Sequence, residues 1–239
     1  MALDVDTPAE LLRLARLLGP EVGVVKIGLE AFVSMGPDCV REIVAAGARV
    51  FLDLKLHDIP NTVGGAAAAA ARTGASLLNV HAAGGRAMMR VAGERAREAA
   101  RAEGLRPPKV IAVTLLTSLS VDDVHDIGYL GSPREAALRL ACLAKESGLD
   151  GVVCSPEEIE SIRSACGPGF LLVVPGIRPA GADAADQRRT AAPAAAIRAG
   201  ADLLVVGRPI TQAEDPVAAA RAIVAEMGVP DRETRGLRS

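Results

Sequence analysis

The stretch Phe51 to Val63 reads FLDLKLHDIPNTV and gathers two carboxylates and an ammonium at Asp53, Lys55 and Asp58. In a β-strand side chains alternate faces, so Leu52, Leu54 and Leu56 share one side while Asp53 and Lys55 share the other. The Ile59-Pro60 pair follows Asp58 and ends the strand, because proline has no N–H for a ladder. Asn61-Thr62 then predicts the cap of an alanine-rich helix. An ammonium fixed beside carboxylates can steady a developing negative charge and deliver a proton. A solitary Asp-x-Lys is more often a surface ion pair worth about 0 to 1 kcal/mol. Here the flanks are too apolar for a solvated edge, and further charges end other strands.

Asp4 ends the first strand and Lys26 the second. Within VGVVKIG the alternation puts Val22, Val24 and Lys26 on one side, so the lysine shares a face with interior valines. A buried ammonium needs a partner, and Asp53 on the next strand is the natural one. Lys26, Asp53, Lys55 and Asp58 would then alternate in sign, each keeping its neighbours ionised. Thr117 and Ser118 follow the fifth strand in VTLLTS and can donate to a polar ligand edge, although such hydroxyls also cap backbone. PGIRP sets Arg178 after the seventh strand, and Gln187 lies in the long polar loop RPAGADAADQ, a length usually reserved for function or disorder. VVGRP supplies the backbone N–H of Gly207 and the guanidinium of Arg208 after the eighth. Arginine suits phosphate through paired N–H donors.

Histidines add less. His57 shares the charged face and His81 ends the fourth strand, both in supporting positions, while His125 reads as surface. No His/Asp/Glu set has metal-ligand spacing, although Asp53 and Asp58 could hold magnesium in principle. Gly84-Gly85 is too short for a dinucleotide fingerprint.

Short Val/Ile/Leu runs alternate with alanine-rich segments along the whole chain. Strands are predicted near Ala2 to Val5, Val22 to Ile27, Val50 to Leu54, Leu77 to Val80, Val110 to Thr114, Gly151 to Cys154, Leu171 to Val174 and Leu203 to Val206. Helix starts are marked at Thr7-Pro8, Gly36-Pro37, Thr62, Ser132-Pro133 and Ser155-Pro156. Gly47, Gly74, Gly148 and Gly200 mark helix ends just before strands. Eight strands close a (β/α)8 TIM barrel, an α/β fold, whereas an open doubly wound sheet has the same alternation. The barrel is preferred because it brings every strand end to one mouth. Residues 1–227 are expected to form this single domain and 228–239 a polar tail.

Composition excludes several classes of partner. Half of the 239 residues are hydrophobic, yet the chain has no Trp, one Tyr and three Phe, so it has few platforms for stacking bases. With 27 basic and 29 acidic residues it carries no basic field for nucleic acid. The first residues, MALDVDTPAE, do not resemble a secretory signal, and no apolar run reaches the ~18 residues of a membrane helix. Four scattered cysteines, read as buried apolar thiols, suit a reducing cytoplasm.

Taken in order, ALD, VKIG, FLDLKLHDIPNTV, NVHAAGG, VTLLTS, GVVCSP, PGIRP, DQRR and VGRPIT closely resemble the orotidine 5'-phosphate decarboxylases of the shorter bacterial kind. The resemblance spans nearly the whole chain, and DLKxHDIPNT is highly specific. It implies a (β/α)8 barrel, no cofactor, orotidine 5'-phosphate as substrate, and a homodimer with sites at the subunit interface. By position it implies Lys55 as the catalytic lysine, Asp53 beside the substrate carboxylate, and Lys26 near the ribose. Asp58, Ile59 and Thr62 are implied to act across the dimer, Asp4 on the ribose, and Thr117 with Ser118 on the pyrimidine. Arg178, Gln187, Gly207 and Arg208 resemble a phosphate grip whose loop closes on the ligand. One departure is local: after DQRR the chain reads TAAPAAAI, a plainer helix start than the family's. Magnesium-dependent sugar-phosphate lyases share an Asp-x-Lys-x-x-Asp strand but not the Ile-Pro-Asn-Thr continuation. A barrel that binds nucleotide without turnover is the other alternative.

Overall fold

The structure, a computed structural model, describes residues 1–5, 7–179 and 190–228. Eight parallel strands follow one another in chain order: β1 (Ala2–Leu3), β2 (Val25–Ile27), β3 (Val50–Leu56), β4 (Leu77–His81), β5 (Lys109–Val113), β6 (Gly151–Val153), β7 (Leu171–Val174) and β8 (Leu203–Leu204). The Ala2 N–H donates to the Val206 carbonyl at 2.7 Å and joins the last strand to the first. The protein is therefore the predicted (β/α)8 barrel.

Alternation along the strands builds two apolar layers. Phe51, Leu77, Ile111 and Val173 form an inner cluster with Val24, Val153, Leu203 and Val205. Their neighbours Leu52, Leu78, Val110, Val152 and Leu172 face the surrounding helices. This period of two is the pleat itself. Lys26 and Asp53 lie two residues beyond Val24 and Phe51 and so continue the inner face toward the mouth. Val22 does not belong to that face: β2 starts only at Val25, and Val22 packs with the helix-side core.

Helices α1 (Pro8–Leu18), α3 (Asp38–Ala45) and α7 (Pro133–Glu146) arise at the marked starts. Ser132 forms a reciprocal capping box with Glu135. Ser155 opens a 3-10 turn, Pro156–Glu158, that leads into α8 (Ile159–Cys166). The remaining helices are α2 (Leu29–Met35), α4 (Pro60–Ala71), α5 (Gly85–Ala102), α6 (Val121–Asp126), α9 (Pro193–Ala199), α10 (Arg208–Thr211) and α11 (Pro216–Glu226). Asn61-Thr62 is not the cap of α4. The helix begins at Pro60, where a fixed φ and a missing N–H suit the first turn, and the Asp58 carboxylate accepts the Ile59 N–H at 2.6 Å. The plain TAAPAAAI start of α9 has Ala192 at its cap and no side-chain bond there. Gly47 and Gly200 end helices with φ of +90° and +111°, as their positions require.

Polar clusters tie the barrel at the N-terminal ends of its strands. Asp150 takes Arg97 at 3.0 Å, Lys109 at 2.9 Å and the Val110 N–H at 2.9 Å. Arg163 donates to the carbonyls of Gly167 and Phe170, both at 2.7 Å, to Gly200 at 2.7 Å, and to Asp202 at 2.6 Å. Replacing Arg163 removes this donor from all three carbonyls at once and leaves Asp202 with the Leu172 N–H at 2.7 Å. Arg163→Ala is expected to lower stability by ~2 to 4 kcal/mol in urea titration. Its kcat should match wild type, because the cluster lies at the end of the barrel away from the mouth.

Candidate active site

At the C-terminal ends of β1, β2 and β3 the charged side chains form one continuous row. Lys26 Nζ lies 3.2 Å from Asp4 Oδ1 and 3.3 Å from Asp53 Oδ2, and Lys55 Nζ lies 2.7 Å from Asp53 Oδ1. Asp53 is 8% exposed, and its carboxylate is gripped from both sides by ammonium groups. Burial alone would raise its pKa. Lys26, then Lys55 and the hydrogen bonds from Lys55 and Asn79, together hold it below the usual carboxylate value. Asp53 is thus an anion at neutral pH.

Membership of this row differs from the sequence expectation in one place. Asp58 is exposed and uses its carboxylate on the Ile59 N–H, and among the described residues no ion pair joins it to Lys55. The fourth charge is Asp4. Proline at position 60 explains the change, because the chain must leave the strand before Asp58 can turn inward. Asp58, Ile59 and Pro60 instead line a rim cleft of about 570 Å³ with His57, Ala83 and Gly84. Ile59 is 66% exposed, and Thr62 is exposed beside it in the first turn of α4.

The regular alternation through Lys55 also fails. Leu52 pairs with Leu78 and Leu56 with Val80, so four residue steps on β3 match two on β4. Two extra residues are absorbed in a bulge, and among the described residues Lys55 is the only non-glycine with a positive φ, +52°. Such a conformation costs of order 1 to 2 kcal/mol and persists only where neighbours enforce it. Asn79 is the neighbour. It is 1% exposed, its Oδ1 accepts the Lys55 N–H at 2.8 Å, and its Nδ2 donates to Asp53 Oδ1 at 2.6 Å. The sequence carried a signal for it: an amide inside the apolar strand LLNVH must find partners.

On the far side of the row the strand ends approach one another. A Cβ placed on Gly207 would lie 3.5 Å from the Ala2 Cβ and 3.9 Å from Asp4 Oδ2. A Cβ on Gly28 would meet Lys26 Nζ at 3.0 Å and Asp4 Oδ1 at 3.2 Å, so glycine keeps the floor clear. Gly207 precedes α10, and Arg208 opens that helix as an exposed side chain. Arg178 is half-buried after β7, where its N–H donates to Ala191 at 3.0 Å and Ile177 bridges Ala191. Gln187, and with it the loop expected to close, lies outside the described residues. Thr117 is buried and Ser118 exposed in the turn after β5.

The whole chain can now be set beside known proteins. The model of the Orotidine 5'-phosphate decarboxylase / HUMPS family matches residues 1–223. The chain belongs to this family. It is 54% identical over 228 residues to the orotidine 5'-phosphate decarboxylase of Moorella thermoacetica, covering 95% of this chain and 90% of that one. The enzyme of the same name from Halorhodospira halophila is also 54% identical, over 95% of this chain and 94% of its own. The crystal structure of orotidine 5'-phosphate decarboxylase from Lactobacillus acidophilus superposes with a TM-score of 0.84 at 41% identity, covering 95% and 97% of the two chains.

His57 and His81 stand with ring centroids 5.4 Å apart, and His81 lies close enough to Lys55 and Asp53 to sense their charges. Burial pushes the His81 imidazole below its ordinary 6.5, helped by His57 and Lys55 and opposed by Asp53. His81 is therefore expected to be neutral at pH 7, with NMR signals titrating below 6.5. As pH falls through 6.5 the unfolded chain takes this proton first, so the group withdraws stability there. An imidazole titrating at or above 6.5 would show that Asp53 outweighs burial at this position.

Proposed function

We propose that the protein converts orotidine 5'-phosphate to uridine 5'-phosphate, the last step of de novo pyrimidine nucleotide synthesis, with residues 1–227 as the catalytic barrel. The observation that carries the reading is the Lys55 ammonium, held 2.7 Å from buried Asp53 in a row with Lys26 and Asp4. The names of full-length relatives at 54% identity support the same substrate.

Loss of carbon dioxide breaks the bond from ring carbon 6 to the carboxylate and leaves the electron pair on carbon 6. That pair lies in the ring plane, outside the conjugated carbonyl system, so a cation must meet it directly. Lys55 stabilises the carbanion by its charge and then passes one proton from Nζ to carbon 6. Solvent later returns a proton to the amine. Asp53 holds Lys55 in place and faces the departing carboxylate. Lys26 and Asp4 hold the ribose, and Thr117 with Ser118 hold the pyrimidine edge. Arg178, Gln187, Gly207 and Arg208 grip the phosphate, whose binding energy is spent at the remote reacting carbon.

No cofactor is needed for this chemistry. A magnesium-dependent lyase would need the Asp53 oxygens as ligands, but both face lysine ammoniums, and Asp58 turns to the Ile59 N–H. A second copy of the chain completes the site in our reading, with Asp58, Ile59 and Thr62 reaching the partner's substrate. The exposed, apolar Ile59 beside the rim cleft supports that role. We place the enzyme in the cytoplasm. Its four cysteines are free thiols, and among the described residues no helix is long and apolar enough to cross a membrane.

The deciding experiment follows absorbance on orotidine 5'-phosphate. Wild type should turn over with chelator present, and loss restored by magnesium would overturn the reading. Lys55→Ala should abolish turnover while still binding uridine 5'-phosphate, whereas near-normal turnover would remove Lys55 from the reaction. Arg208→Ala should mainly weaken affinity, and unchanged kinetics would remove it from the phosphate site. Random reassortment of inactive Lys55→Ala and Asp58→Ala subunits should restore about a quarter of wild-type activity, because half the dimers then hold one intact site. Failure to regain activity would reject shared sites.

A further inference from the structure

We infer that Asn79 is a positioning residue of the reaction: its carboxamide clamps the Lys55 backbone in the left-handed region and, through the same plane, fixes the Asp53 carboxylate against the Lys55 amine. The inference rests on the decarboxylase reading above and deepens it.

The bulge supplies the physical need. Four steps on β3 face two on β4, so the Lys55 N–H cannot continue the backbone ladder. A half-buried N–H without a partner is costly, and this one finds Asn79 Oδ1 at 2.8 Å. Asn79 sits on β4 between Leu78 and Val80, the two residues that bracket the bulge, so its side chain occupies the position where a ladder carbonyl would otherwise stand. The other end of the amide is committed as well. Its Nδ2 donates at 2.6 Å to Asp53 Oδ1, the oxygen that also receives the Lys55 amine at 2.7 Å. Oxygen and nitrogen cannot exchange places, since a backbone donor lies on one side and a carboxylate on the other.

One rigid, uncharged group thereby sets two coordinates of the catalytic lysine: where its Cα emerges and where its ammonium is anchored. Asn79 itself is 1% exposed and bonds to protein at both ends, so it acts through Lys55 and Asp53. Neutrality matters, because a carboxylate here would place a second anion on Asp53, and an alanine would release both partners. The charged and titratable groups around it are Asp53 and Lys55 on β3, Lys26 beyond Asp53, His81 on its own strand, and His57 against His81.

Three variants test the assignment, with uridine 5'-phosphate binding and the urea midpoint as controls for folding. Asn79→Ala should lower kcat about 100-fold with KM within a few-fold, the signature of a displaced reacting group. Asn79→Asp keeps the acceptor for Lys55 and loses the donor to Asp53, so it should be as impaired at pH 8. Its kcat should then rise as pH falls, because a proton shared by the carboxylate pair restores the missing donor. Wild type and Asn79→Ala should lack that rise. Asn79→Leu, of similar size and without either bond, should be no better than alanine, which separates hydrogen bonding from cavity filling. A kcat for Asn79→Ala or Asn79→Leu within threefold of wild type, or an Asn79→Asp profile parallel to wild type, would overturn the proposal. Inactivity of wild type itself would instead reject the decarboxylase reading. In that event the crystal structure of Asn79→Ala still decides: Lys55 leaving positive φ supports the clamp, and Lys55 retaining φ near its present value refutes it.

Discussion

A carboxylate at 8% exposure held between two ammonium groups is the constraint on which this structure depends. Removing Asp53 from water is unfavourable by itself, and its ionisation is retained only because Lys26 and Lys55 arrive from opposite sides. Neither lysine can leave without stranding the anion. The strands must therefore hold β2 beside β3 at a register that sets Lys26 against Phe51, two residues below the Asp53 that its side chain contacts. The sheet order, the inner apolar layer and the polar ties at the opposite end of the barrel all serve that register.

The inner layer is aliphatic for the same reason. Phe51, Leu77, Ile111 and Val173 fill the barrel beneath the charges. Rigid support from below lets the mouth carry strain. The left-handed Lys55 and the two-residue bulge persist because Asn79 takes the freed Lys55 N–H and the strand below them, Val50 to Asp53, is buried.

Much of this was legible in the residues, and the failures have physical causes. The eight strands and the inward placement of Lys26 and Asp53 follow from a period-two pattern that local sequence records directly. The bulge does not, because FLDLKLH alternates perfectly and its extra residues exist only relative to β4, a partner absent from local pattern. Asn79 escaped assignment for a related reason: a buried amide announces that it needs partners but not which ones. Asp58 was set in the row by spacing, yet Pro60 opens α4 early enough to turn its carboxylate onto the backbone. The roles proposed for Asp58, Ile59 and Thr62 across a subunit boundary are of another kind, since no periodicity within one chain encodes a second chain.

The junction of β8 with β1 is made by the hydrogen bond from Ala2 to Val206, next to the point where Gly207 faces Asp4. The mechanical seam of the cylinder thus coincides with the electrical joint between the arginine end and the lysine end. A lost Ala2–Val206 bond would therefore act first on the Gly207 and Asp4 side of the row, and only through Lys26 on β3.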